Sequence, residues 1–160
     1  RDEDGAWLRH IQLGYNYRLD ELSAALGVAQ LERAADLKRE RARVAAGYQA
    51  ALGGEAWVRL PQAGPGGGGG WVVYVVRLDP ALDRTRVMDD LADVGVQTRP
   101  YFSPLHLQPF IQELLGYGPG DFPVTERIQD QVLSLPIFPG LTEEQIQTVA
   151  AAVRDFFAKG

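Results

Sequence analysis

Residues 14–31 run GYNYRLDELSAALGVAQL, a polar, aromatic knot leading straight into a helix-forming stretch. Its first five positions gather a glycine, two tyrosines, an asparagine and an arginine, and the remainder opens a helix. Asp20 is placed to cap that helix, whose apolar positions Leu22, Leu26, Leu37, Val44, Tyr48 and Leu52 fall mostly three or four residues apart until Gly53-Gly54 stop it. A single helix of about 33 residues would rise roughly 50 Å, more than the width of a small domain. One end is therefore expected to reach toward something beyond this fold. Its first half carries little side chain, at Ala24, Ala25 and Gly27. An interior glycine costs roughly 1 kcal/mol relative to alanine, which a close-packed neighbour would explain. The charged half, Arg33 to Arg43, reads as a solvated face.

The polar start of the stretch is its chemical part. Asn16 offers two amide donors, Arg18 a planar guanidinium fork, and Tyr15 and Tyr17 two hydroxyls on flat faces, all where a helix N-terminus adds positive potential. Together they suit a phosphate-bearing ligand. Spacing alone favours the plainer alternative, in which the tyrosines anchor a loop and Arg18 pairs with an acid.

Composition bounds the partners. The chain has 160 residues, 46% hydrophobic and 23% charged, which is enough for one folded domain with a core and short for two. Its net charge of -5 argues against nucleic acid or an anionic membrane as the principal partner, so a phosphate site has to be local. There is no cysteine, and the two histidines, His10 and His106, have no metal-site spacing. No apolar run reaches transmembrane length and the start Arg1-Asp2-Glu3-Asp4-Gly5 is no signal peptide, so a cytoplasmic location is expected. Lys38 and Lys159 are the only lysines.

Beyond the helix, Trp57-Leu60 alternates and Trp71-Val76 is a β-branched and aromatic run, so both read as strands. Between them, PQAGPGGGGG at 61–70 lacks the Gly-Lys-Ser/Thr ending of a phosphate loop and reads as a flexible hairpin connection. Asp83 caps a short helix carrying Val87, Met88, Leu91 and Val94 that Gly95 ends, and Val96-Arg99 alternates as a third strand. Pro123 opens a helix containing Val124, Ile128 and Val132. Thr142 and Gln145 form a capping-box pair before Ile146, Val149, Val153, Phe156 and Phe157, with Glu143-Glu144 as first-turn acids. The expected architecture is α+β: a small antiparallel or mixed three-stranded sheet, covered on one face, with flanking helices and one long N-terminal helix. Two parts are expected, 1–52 with the polar segment and long helix, and 53–160 as a small α+β domain.

A second polar cluster lies in TRPYFSPLHLQPF, residues 98–110, where Pro100, Pro104 and Pro109 stiffen a loop carrying Tyr101 and His106 directly after a strand. A histidine there can donate to a phosphate or sugar oxygen, although a lone histidine is more often structural. Ser23, Ser103 and Ser134 have no evident base partner, so hydrolytic chemistry is poorly supported.

In sequence order, Gly14-Tyr15-Asn16-Tyr17-Arg18-Leu19-Asp20-Glu21-Leu22 with Ala24-Ala25-Leu26-Gly27 and Gln30-Leu31, then Arg99-Pro100-Tyr101-Phe102, Pro104-Leu105-His106, Phe122-Pro123-Val124, Ser134-Leu135-Pro136 and Leu141-Thr142, the chain resembles the C-terminal portion of the DegT/DnrJ/StrS family of sugar aminotransferases, which use pyridoxal phosphate. The resemblance covers nearly the whole chain. It implies the small C-terminal domain of a dimeric fold type I aminotransferase. Asn16 would reach the cofactor phosphate of a partner subunit, while Tyr17, Arg18, Tyr101 and His106 would help hold a nucleotide sugar, with an amino donor such as glutamate. The family's Schiff-base lysine lies upstream of the Asn-Tyr-Arg segment, and neither Lys38 nor Lys159 matches it. This chain is thus expected to carry no catalytic residue and to be inactive alone. Two other readings stay open: a sugar dehydratase of the same family, and a non-catalytic dimerisation module whose Asn16 and Arg18 bind nothing.

Overall fold

The computed structural model describes residues 13–64 and 70–158, with side chains to Phe156. His10, Lys159, the middle of the glycine tract and the side chain of Phe157 lie outside the described residues. The chain divides between Ala34 and Ala35 into two units.

In the first unit, α1 spans Glu21–Glu32. Asp20 caps it as expected, one carboxylate oxygen accepting the Ser23 N–H at 2.8 Å and the other the Ser23 hydroxyl at 2.7 Å. These two bonds, the backbone one foremost, hold the Asp20 carboxyl below its ordinary range. α1 buries no residue, and nothing lies within 4 Å of where a Cβ on Gly27 would stand. The neighbour that the small residues call for is thus not among the described residues.

The single long helix is corrected. Arg33 closes α1 with its N–H turned to Leu31 O instead of the carbonyl four residues back, and α2 runs separately over Ala34–Leu52. Neither proline nor glycine marks the break, so the three-and-four spacing passes across it unaltered.

In the second unit, α2 buries Val44, Ala45, Tyr48 and Leu52, one stripe at helical spacing. The sheet has four strands, β1 (Val58–Arg59), β2 (Tyr74–Leu78), β3 (Arg99–Pro100) and β4 (Val132–Leu135), ordered β1-β2-β4-β3 with every pair antiparallel. Three strands were expected where four stand. The missing one is β4, because Val132 belongs to this strand and the helix opened by Pro123, α5, stops at Gln129. Pairing of Tyr74 with Leu135 and of Val76 with Leu133 sets these four side chains on one buried face. Pro100 is tolerated in β3 because that strand is an edge.

Helices close over that face. α3 (Arg84–Asp93) is capped by Asp83, ends before Gly95 at φ 83° and packs on α6 (Glu143–Ala158). The capping box of α6 forms as read: Thr142 N–H donates to Gln145 Oε1 at 2.9 Å and Gln145 N–H to Thr142 Oγ1 at 3.2 Å. Tyr48 ties α2 to the chain after β4, donating to Pro136 O at 2.8 Å. The sequence reading did not anticipate a short 3-10 turn (Leu105–Leu107) or α4 (Pro109–Leu115), which ends at left-handed Gly116. Among the described residues no helix is long and apolar enough to cross a membrane.

Candidate functional site

The residues singled out for binding fall into two groups, one in each unit. In the first unit the N-cap orders the chain at Asp20, and the five residues before it carry no regular structure. Tyr15 and Tyr17 stack with ring centroids 5.2 Å apart and planes 12° from parallel. Neither ring anchors a core, since both are largely exposed. Asn16 and Arg18 are exposed too, and among the described residues neither side chain has a hydrogen-bond or ion-pair partner; the one bond within the segment joins backbone groups, Arg18 N–H to Asn16 O at 3.1 Å. The nearest acid in sequence, Asp20, is consumed by the helix cap. What remains is an uncommitted carboxamide and a guanidinium, both donors, just ahead of a helix N-terminus that Asp20 already caps. That set fits a phosphate oxygen.

Apolar residues flank the donors on both sides. Leu13, Leu19, Leu22, Leu26, Val28 and Leu31 are all exposed. An apolar run this dense is one that soluble proteins cover.

In the second unit, β3 delivers Arg99 and Pro100 against β4, and the chain then turns out through Tyr101 and Phe102. Phe102 is the one non-glycine among the described residues with positive φ, at 56°, and its ring is exposed, meeting the tilted ring of Tyr101 at 4.6 Å. A bulky side chain in that region costs about 1 kcal/mol or more, and an exposed ring recovers little of it. Replacing Phe102 by glycine should therefore leave the protein about 1 kcal/mol more stable than replacing it by alanine. Both variants lose the ring, so the difference reads the backbone alone. Equal denaturant midpoints for the two would remove the strain.

His106 is placed differently from Tyr101. It is 7% exposed, its Nε2 lies 2.9 Å from Glu126 Oε1, and its ring packs against Phe122 at 4.7 Å. Glu126 also accepts the N–H of Gly120 at 2.9 Å on both oxygens and that of Phe122 at 3.2 Å. The Gly120 amide first, and then His106, lower the Glu126 carboxyl below its usual range. Glu126 and Phe102 were both missed in the sequence. Glu126 had a signal, an acid in the first turn after Pro123 with Gly118 and Gly120 just upstream; the conformation of Phe102 had none.

The fold is thus an α+β domain of helices on one face of an antiparallel sheet, preceded in sequence by a donor-rich helix entry. The comparisons give the family: residues 1–154 match the DegT/DnrJ/EryC1/StrS aminotransferase family, and this chain belongs to it. It is 31% identical over 157 residues to the spore coat polysaccharide biosynthesis protein SpsC of Bacillus subtilis, covering 95% of this chain and 40% of that protein. It is 36% identical over 146 residues to GDP-perosamine synthase of Caulobacter vibrioides, covering 88% and 38% respectively. Among solved structures, S. venezuelae DesV is similar at 31% identity with a TM-score of 0.83, over 94% of this chain and 40% of that one. The chain thus spans about 40% of the length of the relatives it matches.

Proposed function

We propose that this chain is the C-terminal part of a pyridoxal-phosphate-dependent enzyme that transfers an amino group to a keto nucleotide sugar. In this reading residues 1–52 supply inter-subunit contacts and an anion contact, and 53–160 form the small domain beside the substrate. The observation that supports it best is the pair of uncommitted donors at Asn16 and Arg18, exposed in a chain of this family with Asp20 already spent on the cap. Asn16 would hold the cofactor phosphate of a neighbouring subunit through its amide N–H groups. Arg18 would grip the substrate diphosphate with its fork, and Tyr17 and Tyr101 would line the sugar or base with exposed rings. Pyridoxal phosphate, when bound, supplies the electron sink for amino transfer, and the lysine that carries it belongs to the longer protein. His106, buried against Glu126, serves this site by fixing the loop that carries Tyr101. The exposed apolar residues of α1 favour packing on a second copy of the chain, and a homodimer in the cytoplasm is the assembly proposed.

The test is made in the full-length protein. Arg18→Ala should weaken GDP-mannose and UDP-glucose, used as two sources of the diphosphate, by about 10- to 100-fold, the loss of one charge-assisted contact worth roughly 1.5–3 kcal/mol. Asn16→Ala should instead weaken pyridoxal phosphate, read from its absorbance. Unchanged affinities in both variants, together with tight self-association, would favour the interaction module over the enzyme.

A further inference from the structure

We propose that Glu126 is a positioning residue for the ligand: its carboxylate, closed on His106, Gly120 and Phe122, fixes the 101–107 loop in the one shape that presents Tyr101 and Phe102. The inference rests on the function proposed above and adds to it a residue that touches no ligand.

The loop leaves the sheet at Pro100, whose partner is Leu133, and returns through Pro104 into the 3-10 turn that carries His106. Between those points lie Tyr101, Phe102 and Ser103, with Phe102 held at φ 56°. Little at Phe102 itself offsets the cost of that conformation, because its ring is exposed and meets only the tilted ring of Tyr101, itself at the surface. A strained, exposed stretch persists only when both ends are held from outside. The sheet holds one end, and His106 holds the other.

Glu126 is what makes His106 a fixed point. The carboxylate receives three donors, two of them backbone N–H groups from the turn at 118–122 and the third the histidine Nε2. That turn is braced separately, Gly118 N–H donating to Asp121 at 2.8 Å and Gly120 taking φ 98°, a conformation open to glycine. Phe122 packs against the histidine ring at a tilt and meets Tyr117 edge-on at 5.2 Å. Ring and carboxylate thus hold His106 from two directions. A carboxylate has lone pairs for all three donors, whereas the isosteric amide of glutamine turns a donor toward one of them and breaks the set.

The experiment uses the full-length protein, with GDP-mannose and UDP-glucose as probes. Glu126→Gln should raise the Kd of whichever probe the wild type binds by about tenfold and speed hydrogen exchange at the amides of Gly120, Phe122 and residues 101–107. His106→Ala should do the same, and His106→Gln, which returns a donor to Glu126, should recover affinity to within about threefold of wild type. Faster exchange in Glu126→Gln with unchanged affinity overturns the proposal, since the tie would then be structural only. Weakened binding in His106→Ala but not in Glu126→Gln overturns it too, because the histidine would be acting on the ligand itself. If the wild type binds neither probe, the functional reading fails and the purpose assigned to the clamp fails with it; a wild type that binds beside an unaffected Glu126→Gln defeats the clamp alone.

Discussion

Raising the pH above 10 should destabilise the second unit by roughly 1 kcal/mol per pH unit for each of two buried tyrosines, an effect large enough to unfold a domain of ordinary stability. Tyr48 and Tyr74 are both fully buried, their rings 5.1 Å apart. Burial disfavours the phenolate, so the Tyr74 hydroxyl is pushed up to about 12; Tyr48, whose O–H also donates to Pro136 O, is displaced upward by burial and then by Tyr74. In the unfolded chain both titrate near 10. Between about 10 and 12 the unfolded state therefore binds fewer protons than the folded state, and stability falls as pH rises. Below 10 both states are protonated and nothing is lost. The two rings are separable by substitution. Tyr74 OH has no hydrogen-bond partner among the described residues, the nearby Gln49 amide donating to Pro61 O instead. Tyr74→Phe should thus leave stability at pH 8 nearly unchanged and halve the alkaline slope. Tyr48→Phe should halve the slope too, at a cost of about 1–3 kcal/mol at every pH, because Pro136 O loses its donor. Urea unfolding at pH 8, 10 and 11 measures all three proteins, and a slope indifferent to both substitutions would rule the tyrosines out.

Local signals carried the fold where they agreed with each other. Asp20, Asp83 and the Thr142-Gln145 pair each satisfy orphan helix N–H groups with atoms three residues apart or fewer, so their reading needed no tertiary knowledge. Where a boundary depended on distant packing, the sequence was silent. In IQDQVLSLP, residues 128–136, helix gives way to strand with no glycine or proline between. Val132 sits four after Ile128 and so extends the helical spacing, although Leu133 and Leu135, buried opposite Val76 and Tyr74, show the period of two. α4 escaped notice for a different reason. Phe110, Leu114 and Leu115 are apolar yet exposed, so they form no core-facing stripe at all. The candidate site was legible in its residue types and less so in their commitments. Asn16, Tyr17 and Arg18 are exposed, Tyr101 is at the surface, and His106 is spent on Glu126, a pairing twenty residues apart that spacing cannot reveal.

Ile146→Ala should cost about 2–5 kcal/mol, and a second substitution should return part of it. Ile146 is fully buried on α6 and meets α2 at Gly47, where a Cβ built on the glycine would stand 3.1 Å from both Ile146 Cδ1 and Cγ2. Two helices approach this closely because one of them contributes no side chain at the crossing. Gly47 is mid-helix, where glycine is worse than alanine by about 1 kcal/mol, so the contact is maintained against local preference. Gly47→Ala alone sets that gain against crowding of a side chain that has no room to retreat, and the two should nearly cancel. In the Ile146→Ala background the crowding is gone and a cavity stands in its place. There Gly47→Ala gains the full helix preference and fills part of the void, recovering about 1–2 kcal/mol. The double-mutant cycle should therefore show favourable coupling of about 1 kcal/mol between residues 47 and 146, read from denaturant midpoints at constant m-value. Strict additivity would mean that the helices relax apart at little cost, and the glycine would then be explained by something other than the closeness of α2 to α6.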